Sequence, residues 1–390
     1  VGDWQVDRQR FPDGLAPFRE RVKASGLLWG LWMDAERLGG ESEIARAHPE
    51  WILRGYDGQA LGGMIDLTNP SAAFYGVGGA RIASQDGATM RLDPEGDITV
   101  MVGVGEQGQG TEGIYRQIAA DAVGVDIHKV RIVTGDTDVT PYGGGTWASR
   151  GAGVGGEAVL LAGQALRENI LKVAAVILKR DAGTLAVRRG RVVDSITEEE
   201  LLPMHELGRI AYFRSDTLPA TFTPELMVTR HYAQRDFPFI FTNGVQASYV
   251  EIDTDTGFVK LLKHWAVEDC GRVLNPMLVD EQMRGAIVQG IGGALLEECL
   301  YDDAGLMINA NMADYLVPMA AEMPDIEVAH VQTPTASSKL GAKGAGEAGT
   351  AGAPAAVMNA INDALAPFDT HVFSQPITPQ KVLRALGKVK

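Results

Sequence analysis

The sequence predicts an α+β fold: a short βα segment, then a longer part in which mixed sheets are flanked by helices. Three observations predict it. Apolar runs alternate with amphipathic helical stretches over the first 70 residues. After residue 74, strand-like segments come in pairs joined by turn signals. Clusters of glycine then each lead into a long helix with an apolar stripe.

Taken in order, residues 13–26 read as a helix with Asp13 as N-cap, Leu15, Phe18 and Val22 on one face, and Gly26 as its stop. The apolar run 27–33 reads as a buried parallel strand, with Asp34 and Glu36 just past its end. A short helix ends before Pro49, and a second strand, 64–67, ends at Asn69-Pro70. Residues 74–79 form a glycine-rich joint. Strands 88–92 and 97–102 flank Asp93-Pro94-Glu95-Gly96 as a hairpin. After GVGEQGQG (103–110), a helix begins at Thr111, buries Ile114, Ile118 and Ala122, and ends at Gly124; 129–133 is a strand. YGGGTWASRGAGVGG (142–156) opens into a long helix, 158–178. A helix at 204–213 and a hairpin of strands 247–253 and 259–266 follow. Residues 276–300 read as a helix broken by the QGIGG glycines, and LGAKGAGEAGTAGAP (340–354) leads into a helix with Pro354 in its first turn.

Composition narrows the function. The chain has 390 residues, enough for about two to three domains. Its net charge of −15 argues against a nucleic-acid binder. Two cysteines, Cys270 and Cys299, exclude a disulfide scaffold and an iron–sulfur or zinc site made by this chain alone. No run of about 18 apolar residues marks a membrane span. The start, VGDWQVDRQRF, lacks the order of a signal peptide and begins with Val, as a trimmed product or fragment would. A cytoplasmic location is expected. Glycine is in excess, 47 of 390 residues against an average near 7%.

The glycine clusters are where chemistry is sought. Gly103-x-Gly105-x-x-Gly108 lies after a strand and before a helix, the context of a dinucleotide fingerprint, and Asp136 follows at the end of the next strand. A preceding hairpin and two further loops of similar character weigh against a nicotinamide site. The glycines could simply make tight turns, and the row of backbone N–H groups at the helix start suits an oxyanion or phosphate. Gly143 to Ser149 repeats the pattern, and Gln289 places an amide among the glycines of 285–293. Several such loops suit one large polar cofactor better than a protein-held metal ion. Glu347, flanked by Gly344, Gly346 and Gly349, can be reached by a substrate, and partial burial would raise its pKa toward that of a general base. The bland alternative is a solvated loop glutamate.

From about Phe74 onward, the motifs GEQGQGTEG, VTGDTDVTPYGGGTWASRGAG, DCGRVLNP, GAIVQGIGGALLEE and GAKGAGEAGTAGAP resemble, in family order, the second molybdopterin-binding domain of the xanthine dehydrogenase and aldehyde oxidoreductase family. The resemblance implies an elongated two-lobed domain over 74–390, with lobes at about 74–240 and 241–390. It implies that Gly108, Gln109, Gly110, Thr111, Thr146, Ala148, Ser149, Gln289, Gly344 and Gly346 contact a molybdopterin-type cofactor and that Glu347 is the catalytic base. In the family, that glutamate deprotonates a metal-bound hydroxyl, which attacks an aldehyde or N-heterocycle while hydride passes to the sulfido ligand. No side chain of this chain is implied as a metal ligand, and whether the pterin is the cytosine dinucleotide form stays open. The implied partners are a first molybdenum-binding domain or subunit, an iron–sulfur subunit and an FAD subunit. About the first 70 residues, from GDWQVDRQRF to MIDLTNP, are similar to part of the catalytic barrel of bacterial α-galactosidases, which sets a first segment at 1–73, but the segments bearing the catalytic aspartates of that family are missing. The expectation is therefore a mosaic of a partial βα-barrel fragment, packed irregularly or poorly ordered, and a cofactor-binding domain. An α-galactosidase-like fragment and a catalytically silent assembly module are the alternatives.

Overall fold

The computed structural model describes residues 52–54, 60–65, 85–234 and 242–390. The helix expected at 13–26, the strand at 27–33, Asp34 and Glu36, the helix before Pro49, the joint at 74–79 and the expected irregular packing of the first 70 residues lie outside the described residues, apart from one strand pair. There β1 (Ile52–Arg54) and β2 (Ala60–Ile65) pair antiparallel. The strand expected at 64–67 thus starts four residues earlier and belongs to an antiparallel pair rather than to a parallel βα alternation.

The first sheet has the order β5-β4-β3-β9, from β3 (Gln85–Leu92), β4 (Ile98–Val102), β5 (Val130–Val133) and β9 (Met227–Ala233). Strand β4, with the sequence ITVMV, is buried along its whole length, which is why it reads as an apolar run and not as an alternation. It pairs antiparallel with β3, as the Asp93–Gly96 turn predicts, and parallel with β5 across helix α1 (Thr111–Val123). Gly124 ends α1 at φ +90°, with its N–H on the Ala120 carbonyl. Helix α2 (Gly156–Leu178) packs against α1 and the sheet. Gly163 allows this closeness, because a Cβ there would lie 2.6 Å from that of Ala122. A small sheet of β6 (Leu185–Arg188), β7 (Arg191–Asp194) and β8 (Glu200–Pro203) and helix α3 (Met204–Phe213) complete this core.

The second core is built on the sheet β10-β11-β12: β10 (Asn243–Ile252), β11 (Val259–Asp269) and β12 (Ile326–His330). The first pair is antiparallel and the second parallel, so both main sheets are mixed, as an α+β fold requires. Helices α4 (Pro276–Leu295) and α5 (Ala348–Leu365) cover it, and α6 (Pro379–Ala385) closes the chain. Asn275 caps α4 by accepting the Leu278 N–H, with Pro276 at the first helical position.

Two expectations here need correction. Helix α4 is not broken by QGIGG. A Cβ at Gly290 would sit 2.9 Å from Ala353 Cβ and 2.9 Å from the Thr350 carbonyl, so that glycine lets α5 approach. Helix α5 begins at Ala348, not near Pro354, which lies inside it. No helix among the described residues is long and apolar enough to cross a membrane.

Candidate functional site

The loop between β4 and α1 does sit in a strand–loop–helix–parallel-strand unit, the setting a dinucleotide fingerprint needs. Its row of N–H groups is already filled, however. The Glu106 carboxylate accepts from the amides of Gly108 at 2.8 Å, Gly110 at 3.1 Å and Glu112 at 2.9 Å, and from the Thr111 hydroxyl at 3.0 Å. Burial pushes its pKa up, but these bonds outweigh burial and hold the carboxyl below its ordinary range. The anion at this helix start is supplied by the chain itself. What the loop offers outward is side-chain amide: Gln107, and Gln109, whose nitrogen rests on the Gly105 carbonyl at 3.2 Å and the Thr111 hydroxyl at 3.3 Å.

The second loop is tied to the first, because Thr146 donates its hydroxyl to the Gly105 carbonyl. Beneath both lies a buried ion pair, Arg150–Asp86, at 3.2 Å with side chains 1% and 0% exposed. Burial pushes Asp86 up to about 6 against the pull of Arg150 and of the Gly87 and Gly144 amides. This pair explains glycines that sequence reasoning assigned to ligand approach. A Cβ at Gly103 or Gly143 would lie 2.7 or 2.6 Å from Asp86 Oδ1, and one at Gly144 would lie 2.2 Å from Arg150 Nη1. Past the pair, Ala148 and Ser149 take left-handed backbone at φ 49° and 54°. Each residue without glycine's freedom costs about 1–2 kcal/mol there.

That turn brings Ser149 to the third wall, the start of α5. Its hydroxyl donates to Glu347 Oε2 at 3.0 Å and accepts the Glu347 N–H at 3.0 Å, across 198 positions of sequence. Glu347 is half-buried in the turn that leads into α5, at the N-cap of that helix, and is not fully solvated. Gln282 on α4 holds the preceding turn by donating to the Gly346 carbonyl at 2.8 Å.

Between these walls lies a cavity of about 400 Å³. Of the expected residues, Gln109, Thr111, Thr146, Ala148, Ser149, Gly346 and Glu347 line it. Gly108 and Gly110 shape the first loop without lining the cavity; a Cβ at Gly110 would meet Leu278 at 2.6 Å. Gly344 is buried between two lining residues, Lys343 and Ala345. Gln289 is not brought to the cavity. It is exposed on α4 and accepts from the Thr350 hydroxyl at 3.2 Å. The α4 amide that does line the cavity is Gln282, two turns earlier on the same helix face, which the glycine-cluster criterion passed over.

The remaining lining also went unread in the sequence. Lys343, 9% exposed, donates to Asp269 at 3.1 Å and to the Thr333 hydroxyl at 2.8 Å. Burial pushes the Cys270 thiol up to about 11, which keeps it a neutral thiol. Leu274, Leu278 and Val279 form an apolar side, and Arg272 is the exposed cation at the rim. Among the described residues no group of three or more His, Cys, Asp or Glu could hold a metal ion. The polar lining is amide, hydroxyl, one carboxylate and the cations Arg150, Arg272 and Lys343, around a partly apolar cleft. It suits a polar ligand with several hydrogen-bonding edges better than a bare metal ion.

Comparison with known proteins agrees with that chemistry. The family model described as molybdopterin cofactor-binding domain matches residues 53–324, and one described as melibiase matches residues 1–69. The nicotine 6-hydroxylase large subunit of Paenarthrobacter nicotinovorans is 36% identical over 330 residues, 85% of this chain and 40% of that protein. The carbon monoxide dehydrogenase large chain of Afipia carboxidovorans is 32% identical over 281 residues, 72% of this chain and 34% of that one. The crystal structure of quinoline 2-oxidoreductase from Pseudomonas putida 86 superposes with a TM-score of 0.72 at 33% identity, covering 98% of this chain and 44% of that chain. The chain therefore spans less than half the length of each of these relatives.

Proposed function

The chain belongs to the molybdopterin cofactor-binding domain family, and from that premise we propose that it is the cofactor-binding part of a molybdenum hydroxylase large subunit. Its reaction is the oxidative hydroxylation of an aldehyde or N-heterocycle, with water as the oxygen source. The observation that carries this reading is the Ser149–Glu347 contact, which together with the Thr146–Gly105 contact closes three distant glycine-rich loops around one cavity.

The cofactor, when bound, supplies the metal centre that takes up the substrate's electrons. The chain's own residues do the rest. Gln107 and Gln282 bring amides to the edges of a heterocycle, while Thr146, whose proton goes to the Gly105 carbonyl, and Gln109, whose amide nitrogen is held by Gly105 and Thr111, can still accept at oxygen. Leu274, Leu278 and Val279 exclude water from one side, which strengthens every polar contact inside. Glu347 accepts and returns a proton at its carboxylate, and Ser149 keeps one oxygen of that carboxylate in place. On this reading the protein works beside a first molybdenum-binding domain or subunit, an iron–sulfur subunit and an FAD subunit. That two relatives carry the names large subunit and large chain supports a multi-subunit assembly. Residues 1–73 are read as a separate segment related to the melibiase match.

Molybdenum analysis and dye-linked oxidation, run on the chain co-expressed with a first-domain partner, test the proposal. The expected result is bound molybdenum and oxidation of aldehydes or N-heterocycles, with Glu347→Gln retaining the metal and losing about 10²–10⁴-fold in turnover. Full activity in Glu347→Gln, or no bound molybdenum in the assembled protein, would sink it.

A further inference from the structure

His264 on β11 is 0% exposed, in a core otherwise built from side chains such as Leu261, Ala266, Ile287 and Val357. An apolar residue would be cheaper there, because a buried polar group costs free energy unless its hydrogen bonds are complete. Those of His264 are complete. Its Nδ1 lies 2.9 Å from the hydroxyl of Ser248, directly opposite on β10, and its Nε2 lies 3.0 Å from Gln246 Oε1. The Gln246 amide nitrogen then donates to the carbonyls of Gly349 at 3.0 Å and Ala348 at 3.4 Å, in the first turn of α5. Carbonyls only accept, so the nitrogen of Gln246 faces α5 and its oxygen faces the imidazole. His264 therefore carries its proton on Nε2 and accepts the Ser248 hydroxyl on Nδ1. Position 352 must be small for the same contact, since a Cβ at Gly352 would lie 2.8 Å from Gln246 Nε2.

The start of α5 needs such support. Gly349 and Gly352 are poor helix formers, and Pro354 brings no N–H to the Thr350 carbonyl four residues back. We propose that Ser248, His264 and Gln246 form a positioning chain that fixes the first turn of α5 from the sheet side and so holds Glu347, the residue before that turn, against the cavity. On the α4 side, Gln282 donates to the Gly346 carbonyl, and Thr350 in the first turn of α5 donates to the Ala286 carbonyl of α4. Ser149 holds Glu347 from the other core. This inference rests on the reading of Glu347 as the base, yet it is tested apart from it.

Hydrogen–deuterium exchange of the full chain is the test, with Gln246→Leu to cut the link and His264→Gln to keep a donor and an acceptor in place of the imidazole. In Gln246→Leu the amides at the start of α5 should exchange about tenfold faster, as the loss of a buried hydrogen bond implies, while α2 stays at the parent rate. In His264→Gln both should stay within about twofold of the parent. In the assembled holoenzyme Gln246→Leu should lower kcat about tenfold with little change in KM. Unchanged exchange at α5 in Gln246→Leu, equal acceleration of α2 and α5, or a His264→Gln protein that behaves like Gln246→Leu would each overturn the proposal. Failure of the functional reading looks different: Glu347→Gln would then be as active as the parent, whatever the exchange pattern.

Discussion

Glu347 is held by a residue that takes a strained conformation to reach it. Ser149 sits at φ 54°, next to Ala148 at φ 49°, and its hydroxyl meets both the carboxylate and the N–H of Glu347. Strain of about 1–3 kcal/mol persists only where surrounding contacts over-determine it. Ser149→Gly separates the two effects, since glycine takes the left-handed backbone freely. Its unfolding free energy should stay within about 1 kcal/mol of the parent, the relieved strain offsetting the lost hydrogen bonds, while turnover falls about tenfold to a hundredfold. Denaturant melts beside steady-state kinetics check this. A second prediction at this scale concerns pH. Burial lowers His264 from 6.5 to about 4. Between those values the unfolded chain binds a proton that the folded chain does not, so this stabilisation is full above pH 6.5 and is lost as pH falls toward 4. Asp86 works in the opposite sense. Its pKa is raised from 3.8 to about 6, so its contribution is full below 3.8 and is lost as pH rises toward 6. The two slopes offset each other in the parent, and a variant has to expose them. From pH 7.5 to pH 5, the parent should lose about 2 kcal/mol more than His264→Gln. Equal losses in the two proteins would count against a buried neutral imidazole.

Helices α4 and α5 are set close enough together that their glycines matter as spacers. Gly290→Ala gains helix propensity of about 1 kcal/mol but puts a methyl 2.9 Å from Ala353 Cβ and from a backbone carbonyl, neither of which can swing away. Overpacking should win, leaving the variant about 1–3 kcal/mol less stable, measurable as a lower denaturant midpoint with an unchanged slope. This site also shows what was legible in the sequence. Helix α1 and its Gly124 stop were readable from period and punctuation, and both hairpins from their turn residues, while the helix near 204–213 was expected without a comparable signal. These are local signals. The roles of individual glycines were not legible, because they are set by partners far along the chain: Gly103 and Gly143 clear space for Asp86, Gly144 for Arg150, and Gly290 for α5. The filled anion site at α1 was hidden for a different reason. Glu106 looks like any loop glutamate until the turn folds its carboxylate back onto the amides of Gly108, Gly110 and Glu112.

At the scale of the molecule, two cores with mixed sheets meet at one cavity, and each contributes lining the other lacks. The first supplies Gln107, Gln109, Thr146 and Ser149, and the second supplies Gln282, Lys343 and Glu347. The site therefore depends on the relative placement of the cores, and the Ser149–Glu347 and Thr146–Gly105 contacts lock the loops that frame it. Glu347 was legible as a candidate because a carboxylate among glycines is unusual; Ser149 was legible as part of a glycine-rich loop with hydroxyls, but its pairing with Glu347, 198 positions away, was not. Anomalous diffraction at the molybdenum edge, on the chain assembled with a first-domain partner as proposed above, tests most directly whether these loops converge on one cofactor. The expected result is a single metal peak in the cavity between Gln109, Ser149 and Glu347. A peak outside that cavity, or none in a protein shown to oxidise substrate, would contradict it.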